Sequence, residues 1–182
     1  IETYVARRGR HEKKDKFDRG GYHLILLAKN EIGYKNLMKL SSLGFTEGYY
    51  YNARIDHELL EKYNEGIIAS SACLGGEISQ HIMKNKIEEA YETAKWFKGI
   101  FGDDFYLEMQ RHPAKDPALR EDIYDRQQLV NKELIKMSQE LNIKIIASND
   151  INFVNKEDAE AHDRLICLVT KSPVNDPKRM RY

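Results

Sequence analysis

Tyr22-His23-Leu24-Ile25-Leu26-Leu27-Ala28-Lys29-Asn30 sets an apolar run directly before a helix cap. A run without polar alternation reads as a strand covered on both faces. Asn30 can cap a helix in which Ile32, Leu37, Leu40 and Leu43 share a side, and Gly44 stands where a residue just past a helix end belongs. The same order recurs along the chain. Residues 66–70, 104–109 and 144–147 read as further strands. Between them Asp56 opens a short helix, a helical stretch follows Cys73-Leu74-Gly75-Gly76 as far as Lys84, and Asn85 and Glu88 are spaced like a capping box. That box would start a helix with Ile87, Ala90, Tyr91, Ala94, Phe97 and Phe101 on one face. Asp116-Pro117 suits the start of a long helix reaching Asn142, and residues 156–170 look helical. Strand and helix alternate, which argues for an α/β fold with mostly parallel strands and right-handed crossovers.

The flanking segments are less regular. Residues 2–7 suit a short strand, 8–21 a charged mobile loop at the tip of a hairpin, 45–55 a Gly- and Tyr-rich loop, and 171–182 a basic linker. Ile1-Glu2-Thr3-Tyr4-Val5 opens inside an alternating pattern without Met, and reads as a piece of a longer chain.

A length of 182 residues fits one domain of ordinary size. With 41% apolar residues it can bury a core, and no apolar stretch is long enough to span a membrane. The 29 Lys and Arg balance 29 Asp and Glu, which excludes the global positive field of a dedicated nucleic-acid binder. Two Cys far apart do not make a disulfide framework, so a reducing cytoplasm is the expected compartment.

In α/β folds ligands gather beyond the carboxyl ends of the strands. Those ends here are Ser70-Ser71-Ala72-Cys73, Glu108-Met109-Gln110-Arg111-His112 and Ser148-Asn149-Asp150, a set rich in metal-ligating types. Each has a plainer reading. A free Cys is commonly a small buried residue, Asp150 suits a turn, His23 suits a hydrogen-bonded structural role and His112 a solvated loop. Cys167 falls on the core side of its helix. Tyr49-Tyr50-Tyr51 invites a nucleic-acid stacking role, against the commoner packing of aromatics within a loop. Pattern alone stops at an α/β domain with a candidate divalent-metal cluster.

The order of motifs says more. The stretch 23–37, His23-Leu24-Ile25-Leu26-Leu27-Ala28-Lys29-Asn30-Glu31-Ile32-Gly33-Tyr34-Lys35-Asn36-Leu37, resembles a signature of the PHP (polymerase and histidinol phosphatase) domain found in bacterial DNA polymerase III alpha subunits. Ala69 to Ile78, Phe105 to His112, Ala147 to Phe153 and Asp158 to Cys167 agree in order, and Asp176 to Tyr182 is similar to the family's exit toward the polymerase core. The resemblance implies a distorted (β/α)7 barrel of PHP type, incomplete here, with an N-terminal hairpin; residues 1–170 would be its C-terminal part and 171–182 the linker. It implies a metal cluster at one mouth, with Glu2, His23, Cys73 and Asp150 as ligands and Asn152 standing where the family usually has His. An amide oxygen is a weaker ligand than imidazole. Because His23 opens its strand while Cys73 and Asp150 follow theirs, the site requires the His23 strand to run antiparallel or to be bent, and a hairpin through the charged loop would provide this.

Carried further, the resemblance implies a parent DNA-directed DNA polymerase that uses Mg²⁺, template-primer DNA and deoxynucleotides. Its partners would be a proofreading subunit, a sliding clamp and other replisome subunits. The polymerase carboxylates would lie beyond residue 182, leaving this chain a scaffold and docking role. Zn²⁺ or Mn²⁺ at the PHP site would support a residual metal-dependent 3′–5′ exonuclease or phosphoesterase, bound weakly or not at all here. The rivals are a metal-free structural domain, favoured by Asn152, and a free-standing PHP-type phosphatase, which has no need of the 176–182 exit.

Overall fold

The protein is described here from a computed structural model that covers residues 1–113, 123–176 and 179. Strands β1 (Glu2–Ala6) and β2 (Gly21–Ala28) form an antiparallel hairpin, with Tyr4 opposite His23. Helix α1 (Glu31–Thr46) leads to the two-residue β3 (Arg54–Ile55) and the short α2 (His57–Lys62). Next come β4 (Ile67–Ser70), α3 (Glu77–Met83), α4 (Ile87–Phe101) and β5 (Phe105–Gln110). Helix α5 (Asp125–Leu141), β6 (Lys144–Ser148) and α6 (Ala159–Thr170) complete the described part. The Asp116-Pro117 helix start lies outside the described residues.

The six strands lie in the order β3-β1-β2-β4-β5-β6. Strand β2 is antiparallel to both β1 and β4, whereas β1–β3, β4–β5 and β5–β6 pair in parallel. The sheet is mixed, yet five of its six strands run in one direction and β2 alone runs against them, so the strands are mostly parallel as expected. It is open, and the described strands do not close into a barrel. The hairpin and the reversed direction of β2 agree with expectation.

Leu24, Leu26, Ala69, Phe105 and Leu107 from the strands pack with Leu40, Leu60, Ile78, Phe97 and Leu134 from the helices in one core. Burial of apolar area on this scale is the main driving force for the fold. Along β2, however, burial alternates: Leu26 is fully buried while its neighbour Leu27 is 51% exposed. An apolar run thus marks a strand covered on one side only, and the second row of side chains is left open.

Three local expectations change. Gly44 lies inside α1, buried against β3 near Ile55, and the helix continues past it to Thr46. Part of the 45–55 loop is accordingly helix and strand. Asn85 does not cap α4: it sits at φ +58 in the turn before it, and the N-cap position falls on Lys86 without a side-chain bond. The charged loop is also tethered rather than loose. Arg54, 1% exposed, donates through Nε to Gly48 O at 2.9 Å, through Nη1 to Asp18 O at 2.5 Å, and through Nη2 to Arg10 O and Glu12 O at 3.1 Å each. Arg10 reaches Asp56 at 3.0 Å and Glu47 at 2.7 Å, and Asp18 accepts from Arg8 Nη2 at 2.5 Å. An arginine fork can hold several carbonyls at once, which is why a loop of this composition folds back instead of waving in solvent.

Candidate metal centre

The hairpin brings His23 to the turn that follows β4. His23 N donates to Gly75 O at 2.9 Å, and a Cβ on Gly76 would stand 2.1 Å from Ser71 O, so only glycine permits this turn. Within it Ala72 adopts φ +59 and aims Cys73 back at the hairpin. His23 Nδ1 lies 3.2 Å from Cys73 Sγ, and His23 Nε2 lies 3.7 Å from Glu2 Oε2. Three of the expected ligands are neighbours. Glu2 is mostly exposed, with its side chain at 73%, whereas the His23 side chain is at 18%.

Asp150 and Asn152 are placed differently. Both are exposed, Asp150 holds φ +38, and Asn152 Nδ2 donates to Asp150 O at 2.9 Å, so they form a local turn beyond β6. They share with Cys73, Gln110, His112 and Phe153 the lining of a cavity of about 460 Å³. Burial pushes the Cys73 thiol above its ordinary range; the Gly75 N–H opposes that, and the nearby charges of Asp150 and Glu108 add to it. The cysteine is therefore a thiol until something displaces its proton.

Glu108 organises the mouth, a role its place in the sequence did not reveal. It is 5% exposed, and its carboxylate accepts from Ser70 Oγ on one oxygen and from Ser148 Oγ and Gln110 Nε2 on the other, the last at 3.0 Å. Its own N–H donates to Ser71 Oγ at 2.8 Å. One buried carboxylate thus ties the ends of β4, β5 and β6 together. The available signal was a lone acid inside Phe105-Tyr106-Leu107-Glu108-Met109 with serines at both neighbouring strand ends, since a buried charge demands donors. His112 is not solvated either: Gln127 accepts from its backbone N–H at 2.8 Å and faces its Nδ1 at 2.8 Å. Cys167 is buried as expected.

A thiolate and an imidazole suit a zinc-like ion, and their contact fits half of such a site. Among the described residues no group of three or more His, Cys, Asp or Glu is close enough to hold a metal ion. The fit is partial. Among the described residues no helix is long and apolar enough to cross a membrane.

The family model described as PHP domain matches residues 1–112. The DNA polymerase III subunit alpha of Borreliella burgdorferi is 47% identical over 182 residues, covering 100% of this chain and 15% of that protein. The corresponding subunit of Campylobacter jejuni is 43% identical over 192 residues with the same coverage, and that of Deinococcus radiodurans 40% over 183 residues, 13% of its length. The chain spans at most 15% of the length of these relatives. With a family model matched from the hairpin through β5 and relatives aligned over every residue, this chain belongs to the PHP domain family.

Proposed function

We propose that this chain is the PHP segment of a bacterial DNA polymerase III alpha subunit, with residues 1–170 as the domain and 171–182 as the lead toward the polymerase core. The carrying observation is identity of 40–47% to three such subunits across the whole chain. On this reading template-directed DNA synthesis, with its Mg²⁺, template-primer and deoxynucleotides, belongs to the rest of the polypeptide. The segment serves as scaffold and as a face for the proofreading subunit, the sliding clamp and other replisome proteins.

The local chemistry proposed is a reduced metal-dependent phosphoesterase of the 3′–5′ exonuclease type. A zinc- or manganese-class ion would be held by His23 and Cys73, with Glu2 beside them and Asp150 across the cavity, and supplies Lewis-acid polarisation of a phosphoryl oxygen when bound. The chain's own residues prepare that role. The antiparallel β2 presents the imidazole, the glycine turn presents the sulfur, the Gly75 N–H at 3.3 Å from Sγ favours the thiolate, and Glu108 fixes the strand ends that carry the turn. The rival, a metal-free structural domain, is favoured by the Asn152 amide, which is engaged in closing the Asp150 turn. A nuclease assay on a mismatched primer, using full-length protein with and without Cys73→Ala, decides between them. Metal-dependent 3′ hydrolysis lost in Cys73→Ala supports the phosphoesterase, and no hydrolysis in either supports the scaffold.

A further inference from the structure

We propose that the tethered hairpin loop and the Tyr49–Tyr51 turn together form a binding surface for single-stranded nucleic acid, distinct from the metal cluster and independent of it. The loop from Arg8 to Arg19 holds six Lys or Arg against three acids. All three acids are already paired: Asp18 and Asp15 with Arg8 at 2.5 and 3.1 Å, and Glu12 with Lys14 at 2.8 Å. Lys13, Lys16 and Arg19 are exposed and have no carboxylate partner among the described residues. The surplus is positive and faces water.

The same surface carries aromatic rings that remain about half exposed. Tyr51 is 59% exposed, Tyr49 54% and Phe17 49%. Tyr51 sits at φ +65, a left-handed conformation uncommon for a bulky residue, and its ring lies under the Arg19 guanidinium at 4.4 Å. Tyr49 stacks on Phe45, with centroids 6.4 Å apart. The two segments are one surface, because Asn52 Nδ2 donates to Arg19 O at 3.4 Å and Arg54 binds both Asp18 O and Gly48 O. Unpaired cations beside solvent-facing rings are what sequence-tolerant single-strand binding uses: phosphates meet the cations and bases stack on the rings. An acidic peptide would satisfy the cations and leave the rings unused, so the aromatic content selects the nucleic acid.

The test is fluorescence anisotropy of a labelled oligothymidylate with the 182-residue chain across a salt series, with EDTA present. Binding is expected at low salt and unchanged by the chelator. Tyr51→Ala should weaken it by about tenfold with the salt slope preserved, whereas Lys16→Gln should lower the magnitude of the slope by about 0.7. Tyr49→Ser, at a second exposed ring, should weaken it likewise and guards against a folding defect in Tyr51→Ala, while Lys95→Ala on α4 should change nothing. Absence of salt-dependent binding overturns the proposal. So does binding indifferent to both tyrosine changes, or equal displacement by polyglutamate, which would mark the surface as a cation patch for acidic protein.

Discussion

His23 Nδ1 and Cys73 Sγ meet at 3.2 Å although fifty positions separate them in the chain, because β2 reverses direction between β1 and β4. That reversal puts the start of one strand beside the end of another, so a histidine that opens its strand can face a thiol that follows its own.

Metal affinity at this pair should rise with pH. A bound ion requires the thiolate, and burial holds the Cys73 thiol above its ordinary range, so the proton must be displaced on binding. Zinc calorimetry at several pH values should show affinity increasing about tenfold per pH unit below the thiol's pKa, with proton release into the buffer. Cys73→Ala should abolish binding and Asp150→Ala weaken it. Affinity flat with pH would mean that sulfur is not a ligand.

Glu108→Ala should cost about 3 kcal/mol, since it leaves Ser70, Ser148 and Gln110 without their shared acceptor. Urea unfolding gives the size of the loss. The more telling readout is amide exchange, which should quicken at the ends of β4, β5 and β6 and in the Cys73 turn before it does in α4. Uniform quickening would deny Glu108 its tie across the strands.

Arg54→Lys should be nearly as damaging as Arg54→Ala, at about 3–5 kcal/mol, because a single ammonium cannot span carbonyls on Gly48, Asp18, Arg10 and Glu12. Limited trypsin digestion should then cut at Lys13 or Lys16 much faster. Full rescue by lysine would show that charge alone anchors the loop.

The Asp18 carboxylate is held at about 2, chiefly by hydrogen bonds from the Arg8 guanidinium, against the opposing effect of burial. A carboxyl pKa lowered in the folded state contributes stability that is complete above its unfolded value, near 4, and is lost as pH falls through about 2. The melting difference between the native chain and Asp18→Asn should therefore be largest at neutral pH and close across that acid window. Arg8→Ala should return the Asp18 titration, followed by carboxyl NMR, toward the ordinary carboxylate range.

Periodicity was legible in the sequence wherever a helix or strand buries one continuous stripe, as in α1, α4 and β4. It failed where tertiary contact overrides local signals. Gly44 looked like a stop but lies inside α1, and Asn85 had capping spacing yet sits in the turn before α4 at positive φ. Two-residue β3 is too short to carry a period at all. The proximity of His23 to Cys73 and Glu2 was legible by motif resemblance, and the reversal of β2 was one of the two arrangements that their places on their strands allowed. Glu108 and Arg54 were not legible, because a buried charge reads as a surface charge until its donors or acceptors are known, and most of theirs lie 36 to 44 positions away in the chain.

Arg54 also imposes an order of events on a growing polypeptide. Its partners at Arg10, Glu12 and Asp18 are made 44, 42 and 36 residues earlier. Closing loops of that length costs entropy before any contact rewards it. During synthesis the hairpin tip therefore stays water-bound and open to nicking until α1 has formed and the β3 arginine has left the ribosome, so this loop settles well after its own residues are made.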